Sequence, residues 1–248
     1  MSVQACADLV ARADPRRFRA AMAAPLPARE VLLPLYAFNV EVTRAPWLTD
    51  EPMIAEMRLQ WWRDALGEVA QGRARRHEVV DALAFLDDAG AAILDRLVSA
   101  RRWDIYKDPF EDAAHFRDYI DQTSGGLIGV GIRALGGAPN EATRAIAYGA
   151  GLARYLMAVP DLEARGRVPL VDGRTEAVGE LARAALQAWP RKIDLPVSAR
   201  PALFETVGAR VILRRAASQP GAVAAGALEP APIAERLGLM RAALFGKV

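Results

Sequence analysis

Three arginines stand out as residues able to hold an anion. Arg154, Arg165 and Arg167 fall within one short stretch, and a guanidinium presents a fork of N–H donors that matches phosphate oxygens. The same residues also fit a solvated basic loop. Other reactive types are sparse. Cys6 is the single cysteine, near a terminus expected to be loose, with no histidine close to it in sequence. His77 and His115 are the two histidines, too few for a histidine-built metal site. Asp87 and Asp88 form an isolated pair that reads as a turn or a helix cap. Neither a phosphate-cradling Walker loop nor a dinucleotide fingerprint occurs. Trp47, Trp61, Trp62 and Trp103 read as core or cavity-wall residues.

The elements that must position these residues are helical. Hydrophobic residues make up 52% and charged residues 25% of the 248, an ordinary globular balance. That length supports one large domain with a deep core, so residues 1–248 are expected to form a single domain. The net charge of +2 gives no footing for nucleic-acid binding. One cysteine excludes an intrachain disulfide. No basic n-region followed by an apolar run marks a signal peptide, and Asp8, Asp14 and Glu30 interrupt any transit-peptide pattern around Arg16, Arg17 and Arg19. No uninterrupted apolar stretch reaches the roughly 18–20 residues a spanning helix needs. The expected location is cytoplasmic, with peripheral contact to a membrane surface left open.

Ala28–Glu41 reads as a helix containing Pro34. Glu51–Gln71 is amphipathic, with Ile54, Met57, Trp61, Ala65 and Val69 as the inward stripe. Shorter helices are expected over His77–Leu86 and Asp88–Arg101. Glu111–Leu135 reads as one long helix ending at Gly136-Gly137. Asn140 caps the next helix, which is expected to stop at Pro160. Asp161–Gly173 then forms a basic loop. Further helices are expected at Thr175–Trp189, Pro201–Ser218 and Pro232–Phe245, with a flexible Gln219–Pro232 connection. No strand or hairpin signal appears. The fold class is all-α, with about eight or more helices.

Several segments, taken in order, resemble the squalene/phytoene synthase family. Leu35-Tyr36-Ala37-Phe38 looks like the start of that family's first Asp-rich helix. Arg58-Leu59-Gln60-Trp61-Trp62-Arg63 matches the helix after it. Phe116–Gly136 is similar to the central Tyr- and Gly-containing helix, and Gly149–Leu170 to the second Asp-rich helix with its Gly-Arg loop. The resemblance covers about Arg17–Gly173. It implies an isoprenoid-synthase-like bundle around a central cavity, in which Mg²⁺ held by carboxylates neutralises the pyrophosphate leaving from a prenyl diphosphate.

By the same resemblance, the first motif's paired aspartates fall on Thr43 and Arg44, and a third near Trp47, so Glu41 is the one acid left on that stretch. In the second motif the polar positions fall near Tyr155 and Ala158, and Asp161 and Glu163 remain nearby. Metal-holding candidates are therefore Glu41, Asp121, Asp161 and Glu163, each with a plainer reading as a solvated surface acid. Candidate contacts to a prenyl diphosphate or isoprenoid lipid are Tyr36, Tyr119, Gln122, Arg154, Tyr155, Arg165 and Arg167. Gly125, Gly126, Gly129 and Gly131 imply either close helix packing or room for a ligand. The altered motifs and Tyr119-Ile120-Asp121-Gln122-Thr123 look like the non-catalytic branch that includes the mitochondrial complex I assembly factor. That branch implies complex I subunits as partners, a place at the inner membrane surface and no certain cofactor. The competing expectation is an active Mg²⁺-dependent head-to-head prenyltransferase with a rearranged metal site; Mg²⁺ is a cofactor in that case alone. An interaction module with no ligand is the third.

Overall fold

Helix starts in this chain are set by side chains that accept the otherwise unpaired N–H groups of a first turn. The computed structural model describes residues 2–73 and 75–246, and every regular element among them is helical. Helix α1 (Ser2–Ala13) meets α2 (Pro15–Ala23) at Asp14, whose carboxylate accepts from the Arg17 amide at 3.0 Å. Helix α3 (Leu26–Arg44) runs through Pro34 into a tight turn, Ala45–Trp47. Helix α4 (Pro52–Ala70) begins on Pro52, where the missing N–H costs nothing. His77 caps α5 (Glu78–Ala82), and Asp87 caps α6 (Asp88–Ala100) by accepting from the Gly90 amide at 2.6 Å. The Asp87-Asp88 pair is thus a cap, as its spacing allows.

Asp112 caps α7 (Ala113–Ile120), which passes through a wide π turn at Asp121–Gly125 into α8 (Gly126–Ala134). The Thr123 hydroxyl donates to the Tyr119 carbonyl at 2.6 Å inside that turn. Asn140 and Thr143 form a reciprocal capping box for α9 (Glu141–Ala164). Helix α10 (Thr175–Ala188), a 3₁₀ run at Val197–Thr206, and helices α11 (Ala209–Ser218), α12 (Gly221–Ala224) and α13 (Pro232–Phe245) complete the chain.

These elements gather into two compact units. In the first, comprising residues 1–106, 126–138 and 195–205, α1 lies against α2, α3 and α5, α4 against α6, and α8 against both α3 and α6. The second comprises residues 107–125, 139–194 and 206–248. Its centre is α9, which α7, α10, α11 and α12 all touch.

The structure corrects several expectations. Pro160 does not end α9, which continues to Ala164. The stop is at Gly166, in the left-handed region at φ 75°, where the Arg167 amide reaches the Leu162 carbonyl and the Gly166 amide the Glu163 carbonyl. Proline removes one hydrogen bond from a helix interior, and buried Leu156 and Val159 hold the turn in place regardless. The long Glu111–Leu135 helix is divided by the π turn. The Pro201–Ser218 helix is divided at Gly208, whose φ of 89° is left-handed. Gln219–Pro232 contains α12 rather than being wholly irregular.

On α4 the buried residues are Ala55, Leu59, Trp62, Ala65, Leu66 and Val69, so Ala65 and Val69 lie inward as expected, while Ile54 and Met57 are exposed and Trp61 is half-buried. Adjacent apolar pairs on that helix offer two overlapping stripes, and packing on α6 selects one. Cys6 is not at a loose terminus. It is fully buried in α1, and burial pushes its thiol up to about 11, with Glu78 adding to the shift.

The surroundings of individual side chains inside each unit set the expected cost of substituting them. Arg17 donates to Glu205 at 2.6 Å, and both side chains are buried. Glu205→Leu should cost about 3–5 kcal/mol by stranding a buried guanidinium, and adding Arg17→Met should restore most of it. Urea denaturation measures both, and a single-variant loss under about 1 kcal/mol would mark the pair as solvent-compensated. In the second unit, a Cβ on Gly151 would lie 2.5 Å from Ser124 Cβ and 2.8 Å from Ile120 Cγ2. Gly151→Ala should therefore destabilise by about 1–3 kcal/mol. Gly67→Ala on α4, where a new Cβ meets nothing within 4 Å, should instead stabilise by about 0.5–1 kcal/mol.

Candidate functional site

Helix α9 and its C-terminal turn carry most of the candidate side chains. Tyr155 lies on the buried side of α9 and donates its hydroxyl to the Pro169 carbonyl at 2.7 Å. Its ring stands edge-on to Phe116 at 5.2 Å and to Tyr119 at 5.9 Å. Phe110 completes the group at 5.1 Å from Phe116 and 5.4 Å from Tyr119. Such edge-to-face pairs add about 0.5–1.5 kcal/mol each beyond their burial. Two of the predicted contact residues, Tyr119 and Tyr155, are therefore brought together within an aromatic cluster of the second unit. Sequence reasoning missed Phe110 and Phe116. The signal was available, since Phe116 precedes Tyr119 by three residues and shares its face.

The predicted basic residues lie along α9 and just after its end. Arg154 is half-buried on α9, Arg165 is exposed at its C-terminal cap, and Arg167 is buried just beyond Gly166. Lys107 joins them, with its ammonium 3.8 Å from where a Cβ on Gly166 would sit. Asp161 and Glu163 are exposed on the last turn of α9.

The π turn supplies a second polar group. Burial raises the carboxyl of Asp121 above its usual range; Arg117 opposes that shift from 3.7 Å, and Asp118 adds to it. The Arg117 guanidinium also lies over the Tyr148 ring at 4.4 Å. Gln122 donates its amide to Asp118.

Tyr36 and Glu41 belong to the first unit. Tyr36 is buried on α3 with the Arg17 guanidinium 5.6 Å from its ring centroid. Glu41 is held by Arg44 at 3.2 Å, one turn on along the same helix. Thr43, the other residue standing where paired carboxylates were expected, is half-buried. Two of the glycines of α8 lie against neighbouring side chains. A Cβ on Gly131 would meet Ala202 at 3.4 Å, and one on Gly126 would meet Ile93 at 3.3 Å.

A hard Mg²⁺ ion needs several oxygen ligands, carboxylates among them. Glu41 is engaged by an arginine, and Asp161 and Glu163 stand exposed at a helix end. No three His, Cys, Asp or Glu side chains among the described residues converge into a group able to hold a metal ion. The donor set does not fit Mg²⁺. The second unit carries Arg154, Arg165 and Arg167 on α9 and the turn after it, and the aromatic cluster of Phe110, Phe116, Tyr119 and Tyr155.

Comparison with known proteins places this geometry. A curated relative from Drosophila melanogaster, described as NADH dehydrogenase (ubiquinone) complex I, assembly factor 6 homolog, is 27% identical over 183 residues. That match covers 67% of this chain and 53% of the relative, so the chain spans about half of that protein's length. The crystal structure of a dehydrosqualene synthase in complex with ligand superposes with a TM-score of 0.75. It covers 96% of this chain and 94% of that one at 14% identity, a likeness of fold. The all-helical, isoprenoid-synthase-like architecture is thereby established. The squalene/phytoene synthase family profile matches residues 10–237, nearly the whole sequence, and the chain belongs to that family.

Proposed function

We propose that this chain is a non-catalytic member of its family that assists assembly of respiratory complex I at an inner membrane surface, and that it holds a prenyl or quinone-like lipid. The observation that carries the reading is the ion pair between Glu41 and Arg44. An ionising allylic diphosphate develops charge that preorganised cations must meet. Where the family's first aspartate pair belongs, this chain has Thr43 and Arg44, and Arg44 engages the one acid left on the stretch. A cation there repels Mg²⁺ instead of recruiting it.

The Drosophila relative's description supports the assembly role, which comes to this chain by resemblance. The lipid would place its apolar part against Tyr119 and Tyr155 of the second unit. Gln122, Arg154, Arg165 and Arg167 would meet a polar or anionic head group. No described helix is long and apolar enough to cross a membrane, so contact with the bilayer in this reading is peripheral.

Purified protein should release no pyrophosphate from farnesyl or geranylgeranyl diphosphate above a protein-free control, with or without Mg²⁺. Mg²⁺-dependent release abolished by Asp161→Asn with Glu163→Gln would overturn the non-catalytic reading in favour of a rebuilt prenyltransferase site. A strain lacking the gene should accumulate less assembled complex I on native gels. Normal assembly in that strain would remove the assembly role.

A further inference from the structure

Helix α13 is apolar on two opposite sides, and its own protein covers just one of them. Glu235, Leu239 and Ala242 face inward and are buried. A Cβ on Gly238 would lie 2.6 Å from Val207 Cγ1, so the helix is pressed firmly onto the turn before α11. On the other side Ile233, Leu237, Met240 and Leu244 are 70%, 54%, 58% and 73% exposed. Their spacing of four, three and four residues puts them in one stripe about 60° wide, at roughly 100° per residue. The same geometry sets Arg236 and Arg241 about 40° outside the stripe, one on either side. Both arginines are exposed.

The sequence that carries this stripe is basic. From residue 207 onward the sequence has six basic residues (Arg210, Arg214, Arg215, Arg236, Arg241 and Lys247) against two acids, Glu229 and Glu235, in a chain whose net charge is +2. Glu235 is buried. Arg210 and Arg241 line one cleft beside α13, walled by Trp189 and Val211. The exposed apolar residues Met53, Ile54 and Met57 on α4 sit instead among charges of both signs, with Asp50, Glu51 and Arg58 beside them in sequence and Glu56 paired with Arg102 at 2.8 Å.

We propose that α13 is an interfacial membrane-binding element whose occupant is the surface of an anionic phospholipid bilayer. The four apolar side chains enter the boundary between head groups and acyl chains. Arg236 and Arg241 lay their stems along it and hold their guanidinium groups at the phosphates. The helix has 14 residues and lies in the plane of the surface; it does not span. A neutral protein groove would satisfy the stripe but would leave the flanking arginines unmatched, whereas anionic lipid satisfies both. The inference rests on the second unit alone and stands whether or not the assembly role does.

The test is co-sedimentation of the full chain with vesicles of phosphatidylcholine, alone or mixed with phosphatidylglycerol, at low and high salt. Binding should favour the anionic vesicles and weaken with salt. Arg236→Gln with Arg241→Gln should reduce partitioning onto anionic vesicles by about 30-fold. Leu237→Glu with Leu244→Glu should abolish binding; both positions are exposed, so thermal melting by circular dichroism should match the parent chain. Equal affinity for both vesicle types, no binding to either, or unchanged binding by the leucine variant would overturn the proposal. So would a concentration-dependent dimer dissolved by the leucine variant, which would assign the face to a second copy of this chain.

Discussion

The ion pair between Arg17 and Glu205 is the constraint on which the first unit depends. It joins residues 188 positions apart and sits where water cannot screen it. Burial alone would pull the guanidinium toward losing its proton, and the opposed charges of Glu205 and Asp14 more than offset this. A buried pair of this kind contributes little net stability compared with an apolar substitute, yet neither half tolerates loss of the other. It therefore acts as a condition on register. Asp14 spends one oxygen on the α2 cap and the other on Arg17 at 2.9 Å, so the start of α2 and the 3₁₀ run ending at Thr206 are fixed by the same guanidinium. Tyr36 lies within cation–π reach of it. Its position on α3 is thus explained by packing before any ligand is considered.

The second unit is organised by absence of side chain. Gly149 and Gly151 sit on α9 where a Cβ would come within 2.8 Å of the Trp189 ring and 2.5 Å of Ser124. Those glycines let the Trp189 segment and the π turn approach the α9 backbone. Tyr119 precedes the π turn on α7, and Thr123 within the turn donates back to its carbonyl. The close approach at Gly151 therefore helps set the aromatic group around Tyr155. A change in packing at Gly151 would be transmitted to the candidate lipid contacts without touching any of them.

Local chemistry was legible in the sequence and long-range packing was not. The proline at the start of α4, the Asn140 cap and the Gly136 stop are written in neighbouring residues, and α13 begins and ends where its pattern indicates. Pro160 misled because one missing hydrogen bond is a local penalty, while the side chains that outweigh it are buried by elements elsewhere in the chain. The expected α4 stripe holds at Ala65 and Val69 but shifts in the first half of the helix, to Ala55 and Trp62 in place of Ile54 and Trp61, because adjacent apolar residues there satisfy either register. Of the candidate site, the basic residues and the loss of the first aspartate pair could be read directly. The ion pair between Glu41 and Arg44 needed only helical spacing, three residues apart on one face. Arg17 with Glu205 could not have been found, since nothing near either residue marks the other.

In the non-catalytic reading proposed above, what stabilises this fold is separate from what a Mg²⁺-dependent reaction would need. The contacts named inside each unit, Arg17 with Glu205 in one and the close approaches at Gly149 and Gly151 in the other, do not involve Thr43 or Arg44. Thr43 and Arg44 stand near the end of α3, where Arg44 remains about half exposed and its pairing with Glu41 is a surface interaction of small energy. Replacing metal-binding carboxylates there removes a local concentration of negative charge that the unliganded fold must otherwise tolerate. Such a change is neutral or mildly favourable for folding, while it is severe for a reaction that needs Mg²⁺ at that point. In that reading, stability draws on residues other than those a Mg²⁺-dependent reaction would need.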